Sequence, residues 1–125
     1  MKLLLDTHTL LWATSDEKKL STEIRDQIAN PGNIVFVSLV SLWELRIKES
    51  IKKINLPRHF YQSLIPAGYE ILSLTLAHLE AYAHLPLYHR DPFDRMLVAQ
   101  AKLEQLVLLT RDPELEKYDV HLLKA

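Results

Sequence analysis

Short apolar runs alternate with longer segments of helical periodicity along the whole chain. Apolar runs such as 2–5, 34–37 and 106–110 are typical of buried strands, and Ile47, Ile51 and Ile54 recur at helical spacing. The pattern predicts strands at 2–5, 34–37, 69–74, 106–110 and 119–123, and helices at about 7–14, 22–29, 40–53, 57–65, 75–83 and 92–105. This alternation predicts an α/β fold, with a mostly parallel twisted sheet and helices on both faces.

Length and composition indicate one soluble domain that covers residues 1–125. Hydrophobic residues make up 48% of the chain and charged residues 25%, which is ordinary for a globular protein. Cysteine is absent, so disulfides and thiolate zinc sites are excluded. The first apolar run is interrupted by Asp6, which argues against a secretion signal, and no apolar stretch is long enough to span a bilayer. We therefore expect a cytoplasmic protein with no membrane partner.

The charge distribution is more informative than the net charge of −1, which argues against a general nucleic-acid-coating protein. Between residues 46 and 58 the only anion is Glu49, whereas the cations are Arg46, Lys48, Lys52, Lys53 and Arg58. Two interpretations stay open, a solvated helix face and a rim that attracts phosphates. Glycine occurs only at Gly32 and Gly68, in turns, which excludes a P-loop and a GxGxxG phosphate cradle.

Four acidic residues each follow an apolar run at a strand-to-helix turn: Asp6, Glu44, Asp94 and Asp112. In an open α/β sheet the loops at the carboxyl ends of neighbouring strands converge on one crevice. We therefore expect these carboxylates to lie close together, where each pair about 5 Å apart would repel by roughly 3 kcal/mol. A divalent cation offsets such repulsion, and ligands that are all oxygen favour Mg²⁺ or Mn²⁺ over zinc.

Helix capping is the alternative explanation for each acid. Asp6 can cap a helix that opens at Thr7, and Asp91 and Asp112 are each followed by proline, as N-caps often are. Asp94 then stands in the first turn, where a carboxylate favours the helix dipole. Ser41 and Glu44 match the spacing of a capping box. The histidines are scattered and mostly expected at the surface, apart from His8, which lies two residues after Asp6.

Four segments of the chain resemble the PIN-domain nucleases, and among them the VapC toxins of toxin–antitoxin pairs. The segments come in the order and approximate spacing of that family, and the resemblance covers essentially the whole chain; the segments are Leu3–Trp12, Val37–Leu45, Asp91–Ala101 and Leu108–Asp112. The resemblance implies an endoribonuclease that depends on Mg²⁺ or Mn²⁺. It also implies a homodimer and a small antitoxin protein that blocks the site.

Carried over by motif, Asp6, Glu44 and Asp94 would be the core catalytic acids and metal ligands, and Asp112 the fourth, more variable one. Thr110 would be a polar neighbour of the site, and Asp91 could join the metal shell through water. His8 departs from the family pattern, in which asparagine is common after Asp-Thr, and this bears on substrate positioning. Phosphodiester hydrolysis agrees with these residues, because one or two carboxylate-held metal ions can activate water without a nucleophilic side chain.

The RNA-binding candidates are Arg46, Lys48, Lys52 and Lys53. Leu10, Leu11, Trp12 and Trp43 supply apolar bulk near the acidic turns, and we expect a second copy and an antitoxin segment to cover part of it.

Two rival interpretations stay open. One is a phosphoryl-transfer enzyme of the haloacid-dehalogenase type, which needs a second acid where this chain has His8. The other is a catalytically silent binding module that acts through its partner.

Overall fold

Five parallel strands form one sheet in the computed structural model, which describes residues 1–125. The strands are β1 (Lys2–Leu5), β2 (Ile34–Ser38), β3 (Glu70–Leu72), β4 (Val107–Thr110) and β5 (Leu122–Lys124). Their spatial order is β3-β2-β1-β4-β5, and every neighbouring pair is parallel. The predicted α/β class is confirmed, and the sheet is wholly rather than mostly parallel.

Helices connect the strands. They are α1 (Thr7–Ser15), α2 (Thr22–Ala29), α3 (Leu39–Ser50), α4 (Phe60–Ser63), α5 (Leu76–Ala83) and α6 (Pro92–Glu104), with 3₁₀ turns at Glu17–Lys19 and Pro113–Lys117. The segment predicted as a helix from 57 to 65 is helical only over α4, because His59 adopts a left-handed backbone with φ of 62°. Likewise α3 ends three residues before the predicted 53, since Lys52 has φ of 58°.

Side chains on each strand alternate between two apolar layers. Leu3, Leu5 and Val37 point to one layer with Ile24 of α2 and Leu45 of α3. The other layer contains Leu4, Leu108 and Tyr118, together with Leu97, Val98 and Ala101 of α6. Helices therefore cover both faces of the sheet, as predicted. Leu10 is fully buried in the first layer, so of the four apolar residues near the acidic turns it is not one that a partner can cover.

The outward face of α3 carries an apolar row. Leu39, Trp43, Ile47 and Ile51 follow one another at intervals of four residues, and all four side chains are exposed, Trp43 by 60%. The isoleucines whose spacing predicted this helix thus lie largely on its solvent-facing side. The same geometry excludes Trp43 from the core.

The topology fixes where a ligand can bind. The chain moves outward from β1 through β2 to β3 and then returns to the other side of β1 for β4 and β5. The direction of winding therefore changes between β1 and β4, and the crevice at the carboxyl ends of these two strands is the usual ligand site of such a sheet. None of the helices combines the length and the apolar character needed to cross a lipid bilayer.

Candidate metal centre

Asp6 stands at the carboxyl end of β1, in the crevice between β1 and β4. Its backbone N–H donates to the carbonyl of Leu109 in β4 across 3.1 Å, which fixes the turn. One carboxylate oxygen caps α1 by accepting from the backbone N–H of Thr9 at 2.8 Å. The other accepts from the hydroxyl of Thr110 at 2.5 Å. Asp6 is thus a helix cap, as its position predicted, and is also part of a buried polar cluster.

Glu44 reaches the same crevice from the second turn of α3. The predicted capping box of Ser41 and Glu44 is wrong, because Ser38 caps α3 by accepting from the N–H of Val40, which places Ser41 inside the helix. Glu44 accepts from the Thr7 hydroxyl at 2.6 Å, and its second oxygen lies 3.2 Å from Nζ of Lys48. One threonine and one lysine therefore position this nearly buried carboxylate.

Asp91 and Asp94 enter from the N-terminus of α6. Asp91 caps the helix, as predicted, with Oδ1 accepting from the N–H groups of Phe93 and Asp94 and with proline in the first turn. Asp94 is the third residue of the helix. No hydrogen bond ends on its carboxylate, and its ion-pair partner is His89, whose Nε2 lies 3.3 Å from Oδ2. Of the acids in the crevice, Asp94 is the one least tied to the protein.

Asp112 completes the set from the segment after β4. Its Oδ1 caps the following 3₁₀ turn by accepting from the N–H of Glu114 at 2.9 Å, which confirms the predicted cap. Its Oδ2 lies 2.9 Å from Nε2 of His89. Asp112 also donates from its backbone to the hydroxyl of Thr110, the same hydroxyl that donates to Asp6. Thr110 is therefore a direct link between two of the acids.

The protonation of His89 follows from its partners. Nδ1 accepts from the backbone N–H of Asp91 at 3.1 Å, so this nitrogen is unprotonated and the ring proton is on Nε2. From there it faces Oδ2 of both Asp94 and Asp112. In this tautomer His89 is a hydrogen-bond donor that joins the two carboxylates.

The acids from all four segments line one cavity of about 140 Å³. Its walls carry carboxylates (Asp6, Glu44, Asp91, Asp94 and Asp112), cations (Lys48 and Arg111), and Thr7, His8 and Trp12. Burial, followed by the charges of Asp91, Asp6 and Glu44, raises the pKa of Asp94 to about 7, although His89 acts in the opposite direction. The two cations, Lys48 and Arg111, therefore do not offset the negative charge that the other acids place near Asp94.

The donor set fits a hard divalent cation. Five carboxylates supply oxygen ligands, and the raised pKa of Asp94 shows that the metal-free protein disfavours its charged form. Ligand-capable atoms of His89, Asp94 and Asp112 lie within 4.8 Å of one another. Nε2 of His89 carries a proton, however, so it cannot bind a metal ion. Among these three residues, only the carboxylate oxygens of Asp94 and Asp112 are available as metal ligands. Asp6 and Glu44 line the same cavity, with oxygens that also accept from threonines.

The basic candidates are spread over a wider area than the acids. Lys48 lies in the cavity beside Glu44, whereas Arg46 lies over the ring of Tyr61, with Cζ 3.8 Å from the ring centroid. Lys52 and Lys53 are exposed beyond the end of α3 and do not line the cavity. Of the auxiliary candidates, Asp91 and His8 line the cavity, and Thr110 bonds to Asp6.

Sequence reasoning missed three neighbours of the acids: Thr7, His89 and Arg111. Thr7 and Arg111 are adjacent in sequence to Asp6 and Asp112, so their proximity was foreseeable. His89 lies two residues before Asp91, and this short spacing to a cap was the only signal that set it apart from the other histidines.

The family model described as "PIN domain" matches residues 3–121. A chain of the VapBC2 complex from Rickettsia felis, solved with a promoter DNA fragment, superposes with a TM-score of 0.75 at 17% identity, covering 98% of each chain. A chain of DNA-bound VapBC from Salmonella typhimurium gives a TM-score of 0.74 at 19% identity, covering 98% of this chain and 97% of that one.

A chain of a toxin–antitoxin complex from Klebsiella pneumoniae is also similar, with a TM-score of 0.66 and 18% identity over 98% of this chain and 96% of that one. These likenesses establish a shared fold. Comparison with curated protein sequences gave no significant match.

Proposed function

The chain belongs to the PIN domain family, and on that premise we propose that it is a metal-dependent endoribonuclease of the VapC toxin type. The observation that carries the proposal is the convergence of carboxylates from four separate chain segments on one cavity of about 140 Å³. Capping accounts for Asp6, Asp91 and Asp112, but not for Glu44 or Asp94. A cluster of like charges is unfavourable by itself, so its presence favours a role that requires negative charge.

Asp6, Glu44, Asp94 and Asp112 would bind Mg²⁺ or Mn²⁺, either directly or through water, and Asp91 would contribute through water. A bound divalent ion supplies Lewis acidity toward a phosphoryl oxygen and lowers the pKa of water near neutral pH. Water activated by such an ion can act as the nucleophile, so the proposal needs no covalent intermediate on Thr7, Lys48 or a carboxylate of the cavity.

The surrounding residues of this chain position those acids. The hydroxyls of Thr7 and Thr110 donate to Glu44 and Asp6, which orients one oxygen of each carboxylate and leaves further lone pairs for other ligands. Lys48 offsets the charge of Glu44 and lies where it can approach a substrate phosphate. His89 joins Asp94 and Asp112. Such preorganisation reduces the rearrangement that substrate binding would otherwise require.

We also propose an antitoxin partner, which the VapBC and toxin–antitoxin complexes among the structural neighbours support. On this chain, a hollow of about 320 Å³ beside α1 is lined in part by Leu11, Ile54, Leu56 and Phe60. An amphipathic segment of a small partner protein could bury apolar side chains there. Leu11 thus remains a candidate for partner contact, whereas Leu10 does not.

The apolar row of α3 supports the proposal of a homodimer. Leu39, Trp43, Ile47 and Ile51 present one continuous exposed stripe, which is unusual on the outer face of a helix that meets only water. A second copy that docks through the same stripe would form a two-fold interface of the commonest kind.

The decisive experiment is cleavage of a mixed RNA pool by the purified protein. Cleavage with Mn²⁺ or Mg²⁺, its loss in EDTA and its loss in Asp94→Asn are expected, because the variant keeps the side-chain shape and removes one ligand charge. A protein that binds RNA or its partner without cutting in either metal would support the silent binding module instead. Membership of the PIN domain family argues against the haloacid-dehalogenase alternative.

A further inference from the structure

One wall of the acidic cavity consists of flat side chains rather than carboxylates. His8, Trp12 and Arg111 line the same cavity as Asp6 and Asp112. The rings of His8 and Trp12 are stacked, with centroids 5.9 Å apart and an angle of 20° between their planes. The guanidinium of Arg111 lies over the Trp12 ring, with Cζ 4.3 Å from the centroid. We call these three residues the stacked wall.

The stacked wall is fixed before any ligand binds. His8 and Trp12 are one turn apart on α1, the helix that Asp6 caps, and Trp12 packs against the apolar layer beneath it. The guanidinium of Arg111 donates from Nε to the backbone oxygen of Ala125 at 2.8 Å and also donates to the carbonyl of Lys19. Because Trp12 and Arg111 are anchored and His8 stacks on Trp12, little freedom of these two planes remains to be lost on binding.

Neither the packing of the fold nor contact with the acids explains why a histidine stands at His8, the outermost residue of the stacked wall. The side chain of His8 is exposed, and its imidazole takes part in no hydrogen bond of the structure. It is neither a cap nor a partner of a carboxylate, unlike His89, which donates to Asp112. What His8 offers is an aromatic surface beside the proposed cleavage site.

We propose that the stacked wall is a subsite for one unpaired nucleobase of the RNA substrate, which stacks on the exposed imidazole of His8, itself stacked on Trp12, next to the scissile phosphodiester. This inference rests on the proposed function and adds a substrate contact to it. Every base has a π face, so stacking is tolerant of sequence and selects for bases that are not paired in a duplex. Arg111 adds a second positive charge, beside that of Lys48, to a cavity that five carboxylates line.

A nucleobase fits the position better than a protein side chain does. The stacked wall and the carboxylates border one cavity, and along an RNA strand a base and the phosphate of the same nucleotide are close neighbours. A cationic or aromatic side chain of a partner protein is the alternative occupant, and the experiment below includes it as an outcome.

The test uses tryptophan emission and two oligonucleotide probes. Trp43→Phe leaves Trp12 as the only tryptophan, and Asp94→Asn in the same protein keeps the RNA intact in the presence of Mn²⁺. The probes are a single-stranded oligouridylate and an abasic ribose-phosphate chain of the same length and charge. We expect oligouridylate to change Trp12 emission and to bind about tenfold more tightly than the abasic chain.

His8→Ala should reduce this affinity ratio severalfold, while affinity for the abasic chain stays the same. The matched control is His121→Ala, another exposed histidine that does not line the cavity, and it should preserve the ratio. Arg111→Lys should lower the ratio without changing the salt dependence of binding, because the charge is kept and the planar group is lost. Circular dichroism melting of each variant identifies any that are unfolded, and Trp12 emission in the folded His8 variant remains informative.

Failure of this inference and failure of the proposed function give different results. Equal affinity for oligouridylate and the abasic chain, in a protein that cleaves RNA with Mn²⁺, overturns the subsite and leaves the nuclease. A protein that neither cleaves nor binds either probe overturns both. A Trp12 response to oligoarginine, with none to oligouridylate, assigns the wall to a protein side chain and also overturns the subsite.

Discussion

His89 donates its Nε2 proton to Oδ2 of Asp112 across 2.9 Å, and the same proton faces Oδ2 of Asp94 at 3.3 Å. Asp112 follows β4 and Asp94 lies in the first turn of α6, so the imidazole of His89 joins two separate segments of the site. A hydrogen bond to a carboxylate favours its charged form. His89 therefore offsets part of the repulsion that the clustered acids create in the metal-free protein.

His89→Ala should lower the free energy of unfolding of the metal-free protein by about 1–3 kcal/mol. The loss should be larger at pH 8 than at pH 5, because Asp94 has a pKa of about 7 and is therefore charged only at the higher pH. Chemical denaturation in EDTA at the two pH values measures the difference. His121→Ala is the control, and an equal loss at both pH values would show that the imidazole acts through packing alone.

Asp94→Asn should change how the stability of the metal-free protein depends on pH. Burial raises the pKa of Asp94 from 3.8 to about 7, so between these values the folded protein retains a proton that the unfolded chain has released. The wild type should therefore lose stability as the pH rises from about 4 to about 7, and the variant should lose less. Thermal melting in EDTA checks this, and identical pH profiles would contradict it.

The same variant tests the metal site. Millimolar Mn²⁺ should raise the melting temperature of the wild type, because a ligand that binds only the folded state stabilises it by mass action. In Asp94→Asn the rise should be smaller, since one ligand charge is absent. If neither Mn²⁺ nor Mg²⁺ changes the melting temperature of the wild type, the proposal of a metal centre loses its basis.

Asp6→Asn and Asp112→Asn should differ in stability, although asparagine caps a helix about as well as aspartate does. Both oxygens of Asp112 accept from N–H groups, those of Glu114 and His89, and an amide oxygen can replace only one of them. At Asp6 one donor is the Thr110 hydroxyl, which can turn to accept from an amide instead. Asp112→Asn should therefore cost about 1 kcal/mol more in metal-free denaturation. Equal costs would argue that His89 contributes nothing to Asp112.

Reversal of Lys52 and Lys53 to glutamate should weaken RNA binding and flatten its dependence on salt. Both side chains are exposed, so thermal stability should change little. Binding titrations at several salt concentrations give the slope, with the exposed pair Lys18 and Lys102 reversed as the control. If both double variants give the wild-type slope, Lys52 and Lys53 belong to a solvated face.

Ile47→Glu should dissociate the proposed homodimer without unfolding the chain. Ile47 lies in the middle of the exposed row formed with Trp43 and Ile51, and 37% of it is exposed, so a charge there can reach water in the monomer but opposes a second copy. Light scattering should change from dimer to monomer mass, while circular dichroism is unchanged. A wild-type protein that is monomeric at high concentration would rule out this interface.

Local signals account for what the sequence predicted well. Apolar runs located the first four strands, although β3 is shorter than predicted, and acids next to proline located the caps at Asp91 and Asp112. Asp6 and Asp112 meet as expected because parallel strands end at one edge of a sheet. The expected strand-to-helix turn is wrong for the other two acids, since Glu44 lies in the second turn of α3 and Asp94 in the first turn of α6, which follows α5 rather than a strand. The predicted last strand, 119–123, is in fact Leu122–Lys124, since hydrogen bonding to β4 rather than local composition sets where it starts.

Tertiary contacts account for what the sequence did not predict. His89 is 23 residues from Asp112 in sequence, and their contact depends on the path of the chain between α5 and α6. Ser38 rather than Ser41 caps α3, because the Ser38 hydroxyl also donates to the buried Gln100 at 2.6 Å. The isoleucines of α3 show helical spacing, but spacing alone does not distinguish a face that meets the core from one that meets solvent.

The hydrogen bond between Thr110 and Asp6 spans 104 residues of sequence. During translation, Asp6 leaves the ribosome 104 residues before Thr110 does, so β4 and Asp112 follow much later than the turn after β1. Strand β1 has β4 as a neighbour in the finished sheet, so the turn that carries Asp6 has no partner strand on that side until then. The acidic centre of a nascent chain is therefore incomplete until residues 107–112 have left the ribosome, and any activity of that centre begins only after that.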